Sequence, residues 1–241
     1  MENNKDLALD EKNTRPEEPR ETYRQVKFTP TSGTTTFLLI RHGESAIADM
    51  AHPFPLTEGR SDPPLSQIGV LQSQALAARL ASYPFDEIYV TQLRRTQETA
   101  STLCAVTGKE WTVEKNLVEI FMGEWEGGIY RKHIADKHPL TEKIFTEQRF
   151  DVIPGGESNS SVTTRAVKAL EEIAALHEGK TIAVFTHSVV IANVLAFISK
   201  SEPFAFLGND NASISEIVLA KQKWFLRRFN DTAHLEHLKH L

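Results

Sequence analysis

A single cysteine, Cys104, in a chain of 241 residues rules out any intramolecular disulfide. Its neighbours Leu103, Ala105 and Val106 mark it as a buried small hydrophobe rather than a reactive thiol. No apolar run is long enough to span a bilayer, and the N-terminal residues Glu2, Lys5, Asp6, Asp10 and Glu11 contain no apolar stretch of the secretory type. The expectation is a soluble, cytoplasmic protein with no membrane partner. The glycosylation-like triplets at Asn159, Asn211 and Asn230 then carry no meaning. Excess positive charge is missing as well: a net charge of −5 and a pI near 6.0 leave no global footprint for nucleic acid. There is no His-Glu-x-x-His and no close pair of metal-ligand residues, so neither metal nor cofactor is expected.

What the chain does have is enough apolar sequence, 40% of its residues, to bury one large α/β core. Residues 1–35 mix Glu, Lys, Arg, Asn and Pro without apolar periodicity and read as a mobile tail. Residues 36–241 then form the single domain, in which strand and helix alternate. A strand from Phe37 is followed by a helix from Ser66, its N-cap, to about Ala81, with Leu71, Leu76 and Leu80 on the apolar face. A strand over 86–91 precedes a helix from Leu93 to Val106 that Gly108 stops. Short apolar pieces follow at 111–113 and 117–120. Residues 123–156, with paired glycines, Pro139, Pro154 and several aromatics, read as a helical lid insertion. A helix over 161–177 with Val162, Ala166, Leu170, Ile173 and Ala174 on one stripe, a strand at 181–186, a helix at 189–199 and strands near 213–219 and 223–229 complete the pattern. Leu235, Leu238 and Leu241, interleaved with His234, His237 and His240, suggest a C-terminal packing helix rather than a metal site.

Strands alternating with helices of this length imply right-handed parallel crossovers. The fold class expected is a three-layer α/β/α sandwich with a mostly parallel central sheet. Ligands of such sheets bind beyond the carboxyl ends of the strands. Arg41-His42 after Thr36-Phe-Leu-Leu-Ile40, Arg94-Arg95 after Val90-Thr91, and His187 after Thr181-Ile-Ala-Val-Phe-Thr186 all fall at such ends. Imidazoles and guanidiniums delivered to one rim suit a phosphorylated ligand.

The ordered set Arg41-His42-Gly43-Glu44-Ser45, Asp62 to Gly69, Thr91 to Ala100, Leu117-Val-Glu119 with Gly123 to Gly127, Pro154 to Ser158, and His187 resembles the histidine phosphatase superfamily, also called phosphoglycerate mutase-like. The resemblance runs from about residue 37 to 220. It implies that His42 is the nucleophile that takes the phosphoryl group, that Arg41, Arg95 and His187 hold its oxygens, and that Glu119 protonates the leaving alcohol. It also implies that Ser45, Ser188 and Asn211 lie near the substrate. Two positions depart from the common pattern: Ala48 stands where many members carry Asn, and Ser188 where many carry Gly. The activity implied is that of a metal-independent phosphomonoesterase on a small phosphorylated substrate. A bisphosphoglycerate-dependent mutase and an idle phospho-ligand-binding protein are the alternatives; residues 123–156 match the phosphatase branch better than the longer basic insertion of the mutases. Residues 51–60, with His52, Phe54 and Arg60, and the lid residues Trp125, Tyr130, Arg131 and Lys132 are the candidate specificity elements. Edge-strand pairing into a homodimer remains open.

Overall fold

The computed structural model describes residues 22–25 and 33–238. The chain divides into two units, Met1–Pro30 and Thr31–Leu241. In the first, only residues 22–25 are described, without regular secondary structure, so nearly all of the expected tail lies outside the described residues. All that follows concerns the second unit.

Strand β1 (Thr35–Arg41) is apolar on both sides because it runs through the middle of the sheet: Phe37, Leu38, Leu39 and Ile40 are each at most 2% exposed. The two-residue strands β2 (Leu56–Thr57) and β3 (Arg60–Ser61) form a hairpin that the sequence pattern does not announce. Helix α1 (Gln67–Leu80) starts at Ser66, whose hydroxyl accepts from the Gly69 amide, as its position predicts. Its buried stripe is Gly69, Ser73, Leu76, Ala77 and Leu80, and Leu71 is 38% exposed. Leu71 falls between Gly69 and Ser73 in the helical repeat and so points off the stripe. Strand β4 (Glu87–Val90) leads to α2 (Arg94–Thr107), which ends at Gly108 in the left-handed conformation, φ +70°. Cys104 of α2 is only partly buried against its core, less than the sequence suggests, because it sits at the edge of the apolar face.

Strand β5 (Trp111–Val113) is followed by the segment read from the sequence as a lid, which holds a 3-10 segment at Gly123–Trp125 and the helices α3 (Ile129–Ala135) and α4 (Pro139–Glu147). Helix α5 (Asn159–Leu176), capped by Ser158, starts two residues earlier than its apolar stripe implies. Strand β6 (Thr181–Thr186), helix α6 (Ser188–Ser199) and the antiparallel pair β7 (Ile214–Ala220) and β8 (Lys223–Asp231) finish the unit. The C-terminal packing segment is a 3-10 turn, Ala233–Leu238, that buries Leu235; His240 and Leu241 lie outside the described residues.

The six-stranded sheet has the order β5-β4-β6-β1-β7-β8. β5, β4, β6 and β1 pair in parallel, and only β7 runs against them. Side-chain alternation along β1 and β6 divides the interior in two. Phe37, Leu39, Ile182 and Val184 join α5, α6 and the lid residues Trp125, Ile144 and Phe150 on one face. Leu38, Ile40, Ala183 and Phe185 join α1, α2 and Leu235 on the other. The expected three-layer sandwich is therefore the fold found, and its parallel strand ends β1, β4 and β6 lie side by side at one rim.

Candidate active site

Each strand end is fixed by backbone before any side chain acts. The His42 amide donates to the Thr186 carbonyl at 3.0 Å, tying the end of β1 to that of β6. The His42 carbonyl accepts from the Ala212 amide at 3.2 Å and from the Asn211 side chain at 3.0 Å. The following turn is pressed against the start of α1: a Cβ at Gly69 would lie 2.0 Å from the Glu44 carbonyl oxygen, and one at Gly43 2.7 Å from that of Gly69. Only glycine fits this approach.

His42 is 6% exposed, and its protonation is dictated by its neighbours. Nδ1 lies 2.7 Å from the Gly43 carbonyl oxygen, which can only accept, so Nδ1 carries the proton. Nε2 accepts from Arg95 Nε at 3.1 Å and therefore presents its lone pair. Burial first, then Arg95 and Arg41, hold the imidazole well below its usual pKa, so it is neutral near pH 7. His187 is fully buried, with its ring centroid 5.2 Å from that of His42. Its Nε2 meets the Thr91 hydroxyl at 3.0 Å, and its Nδ1 has no partner among the described residues. Burial, Arg95 and His42 hold it well below its usual pKa too.

Arg95 occupies the first turn of α2, and its Nη1 donates to the Ser61 carbonyl at 2.8 Å. Burial brings its guanidinium down to about 10, still charged near neutrality. Arg41 donates to the Asn209 carbonyl, while its buried Nε has no partner among the described residues. Arg94, one residue from Arg95, points outward to Glu98 at 2.7 Å.

Glu119 is partly buried, not a solvated loop carboxylate. Burial raises its pKa, against the opposing pull of Arg95, of the Ile120 amide at 3.0 Å and of Arg41. Its backbone is clamped from two sides: Arg60 Nε donates to the Glu119 carbonyl at 2.9 Å, and Arg165 reaches the carbonyls of Val118 at 2.6 Å and Glu119 at 3.3 Å. Glu157 binds both clamps, Arg165 at 2.8 Å and Arg60 at 3.5 Å. Arg60 thus holds the backbone of the Glu119 loop, and with Phe54, Glu119 and Tyr130 it lines a smaller pocket. Arg165 carries no signal in the sequence, since one arginine on the polar side of a helix looks like any other.

Arg41, His42, Arg95, Glu119, Ser45, Ser188 and Asn211 all line one open cleft of about 1020 Å³. His187 stands behind His42 against Thr91. Ser45 accepts from Arg131 Nη2 at 2.7 Å, so the lid helix α3 rests on the first motif. Asn211 does more than form a turn, because it holds the His42 carbonyl. Ala48 also faces the cleft, and a Cβ on Gly128 would approach its methyl to 3.1 Å; the small side chain leaves room for the start of the lid. Tyr130 lines the same space, with its hydroxyl pushed up to about 12 by burial and by Glu119. His52 lies away from it, exposed and paired with Asp49 at 2.8 Å. Among the described residues no group of three His, Cys, Asp or Glu is placed to hold a metal ion, and no helix is long and apolar enough to cross a membrane.

Known proteins show the same chain pattern. Phosphoserine phosphatase 1 of Hydrogenobacter thermophilus is 32% identical over 202 residues, 82% of this chain and 93% of that protein. The metal-independent phosphoserine phosphatase of Arabidopsis thaliana is 30% identical, over 85% of this chain and 84% of its own length. The solved structure of a phosphoserine phosphatase mutant from Entamoeba histolytica in complex with phosphoserine superposes with a TM-score of 0.68 at 25% identity, covering 83% of this chain and 99% of that one. These relatives support phosphatase activity. The family model of the histidine phosphatase superfamily (branch 1) matches residues 37–232, and with the strand-end geometry above it settles that the chain belongs to that superfamily as a phosphatase.

Proposed function

We propose that the protein hydrolyses phosphate monoesters through a phosphohistidine formed on His42 Nε2, without a metal ion. The observation that carries this reading is the fixed tautomer of His42: its Nδ1 proton is committed to the Gly43 carbonyl, and its Nε2 lone pair lies at the cleft, accepting from the Arg95 guanidinium. Phosphoryl transfer depends mainly on in-line positioning and on charge at the equatorial oxygens. Arg41 Nε, buried and without a partner among the described residues, is a donor available to those oxygens; His187 Nδ1, likewise without one among them, is a second donor in the tautomer whose Nε2 accepts from the Thr91 hydroxyl, and the amides at the start of α6 add a positive helix end.

In the first step the Nε2 lone pair forms the N–P bond, the ester P–O bond breaks, and Glu119 gives its proton to the departing alkoxide. Its raised pKa favours the acid form needed for this. In the second step the Glu119 carboxylate removes a proton from water, the oxygen of that water bonds to phosphorus, and the N–P bond breaks. Because Nδ1 stays protonated, the leaving group of this step is a neutral imidazole. Inorganic phosphate is released and both residues return to their starting states.

The substrates of the relatives make O-phosphoserine the first monoester to try. Protein incubated with a ³²P-labelled monoester and quenched in alkali is expected to carry label that is alkali-stable and acid-labile, to lose it in His42→Ala, and to turn over equally in the presence of a chelator. Label that persists in His42→Ala, or activity that a chelator abolishes and added metal restores, would refute the proposal.

A further inference from the structure

We infer that the cleft is built for monoesters whose alcohol is apolar, an aryl or alkyl group of six carbons or more, rather than for a phosphorylated amino acid. This rests on the reading of the site as a phosphomonoesterase and adds the class of leaving group. Beside the polar lining residues Ser45, Ser188, Asn211 and Tyr130, one stretch of the cleft wall is hydrocarbon: Met122, Phe145, Phe150, Val189 and Leu207. Phe204 braces it from behind, with ring centroids 6.2 Å from Phe145 and 5.1 Å from Phe150. The wall is therefore preformed. Phe145 remains 52% exposed on α4, a phenyl group whose burial the folded chain leaves incomplete.

The charged residues that could greet an ammonium or a carboxylate are already engaged. Arg131 donates to the Ala46 carbonyl at 2.6 Å and to Ser45 Oγ at 2.7 Å, and lies 5.2 Å over the Phe54 ring. Lys132 pairs with Asp136 on its own helix. The one carboxylate of the lining besides Glu119 is Glu44, which accepts from the Ser66 hydroxyl at 2.6 Å. The zwitterionic side of phosphoserine would have to shed water against this stretch of wall, where among the described residues Arg131 and Glu44 are already bonded and Lys132 is shared with Asp136 in a half-exposed pair, which is costly. An alkyl or aryl group gains from the same contact. At about 1020 Å³ the cleft is in the range of those that take drug-sized ligands, more room than a three-carbon acid fills.

The test uses esters of closely similar leaving-group chemistry: ethyl, butyl and hexyl phosphate and 2-phenylethyl phosphate, against O-phosphoserine. We expect kcat/KM to rise along the alkyl series, hexyl exceeding ethyl by about tenfold or more, as partial burial of four methylenes implies. O-Phosphoserine should fall below hexyl and 2-phenylethyl phosphate. Phe145→Asn and Leu207→Asn should each shrink the hexyl-to-ethyl ratio severalfold; the ratio is internal, so loss of folded protein does not imitate the effect. A flat alkyl series, or O-phosphoserine as the better substrate, would overturn the inference while leaving phosphatase function intact. If no monoester turns over, the functional reading fails instead, and calorimetry with hexylphosphonate against methylphosphonate still decides: about tenfold tighter binding of the hexyl compound supports the apolar wall, and equal binding refutes it.

Discussion

The rim of the sheet and the lid that faces it across the cleft are built by opposite rules. At the rim, Arg41, His42, Arg95 and His187 sit at or just beyond the ends of strands β1, β4 and β6, and the backbone there is bonded across elements before any side chain is placed. The lid contains helices of 7 and 9 residues, shorter than helices that persist alone in water, and α3 buries Ile129 and Tyr130 only in part and no residue fully. It is held instead by a few anchors: Trp125, Ile144 and Phe150 in the core, and Arg131 on the first motif. The difference assigns the work. On the proposed reading, the groups that would touch phosphorus sit at the strand ends, and of the wall that would meet the alcohol Phe145 and Phe150 belong to the lid while Val189 belongs to α6. Glu119 lies where the two meet, on a loop clamped by Arg60 and Arg165.

The largest effect expected at that junction is from Glu119→Gln. Removing the proton donor should cost roughly 10²–10⁴-fold in kcat/KM for alkyl phosphates. With p-nitrophenyl phosphate the leaving group holds its own charge, so formation of the phosphoenzyme should suffer much less, and a burst of nitrophenol should precede slow turnover. The pH profile carries the same signature. For alkyl esters kcat/KM needs Glu119 protonated and His42 neutral, so it should fall on the alkaline side as Glu119 ionises, at a pH above the ordinary carboxylate range because burial raises this group. The acid limb should lie below the ordinary histidine range, where His42 is finally protonated. Glu119→Gln should remove the alkaline limb alone. Equal losses for both ester classes in stopped-flow phosphorylation would count against Glu119 as the acid. Of the other lid carboxylates, Glu126 is already bonded to the Ser61 and Met122 amides at 2.7 and 2.9 Å.

A smaller effect is expected one shell away. Arg165 touches no reacting atom, yet it joins the carbonyls of Asn116, Val118 and Glu119 to Glu157, and its side chain is only 16% exposed. Arg165→Met keeps the length and removes the donors, leaving the mostly buried Glu157 carboxylate with the Phe121 amide, the Ser161 hydroxyl and the longer ion pair to Arg60. We expect a loss of about 2 kcal/mol in stability by urea unfolding, less than for a fully buried pair. Phosphoenzyme formation with alkyl phosphates should drop about tenfold while p-nitrophenyl phosphate is nearly spared. An equal drop for both esters would mean that Arg165 supports the fold in general rather than the position of the acid.

What the sequence made legible follows the same division. The strand ends were readable because apolar runs in the middle of a parallel sheet are unmistakable, and Arg41, His42, Arg95 and His187 follow from where those runs stop. Asn211 was readable only as a neighbour of the cleft, since its bond to the His42 carbonyl spans 169 positions of chain. Arg60 and Arg165 were not readable as a clamp. Their partners are backbone carbonyls, which every residue has, and no spacing rule announces such a contact. Leu71 shows the limit within one element: α1 carries apolar residues on more than one side, and only the packing against α2 selects the stripe through Leu76 and Leu80.

The smallest effect expected isolates the lid. Arg131→Ala removes two hydrogen bonds to residues 45 and 46 and the stacking over Phe54, contacts made by a guanidinium still partly open to solvent. Their joint contribution to docking α3 is about 1 kcal/mol after allowance for that exposure. If lid and rim open as separate units, amide exchange in residues 129–135 should speed up roughly three- to tenfold, while the amides of β1 and β6 keep their protection. The urea midpoint should hardly move. Exchange that accelerates equally in β6 would show that the two regions open together and that the division drawn from their construction does not extend to their motion.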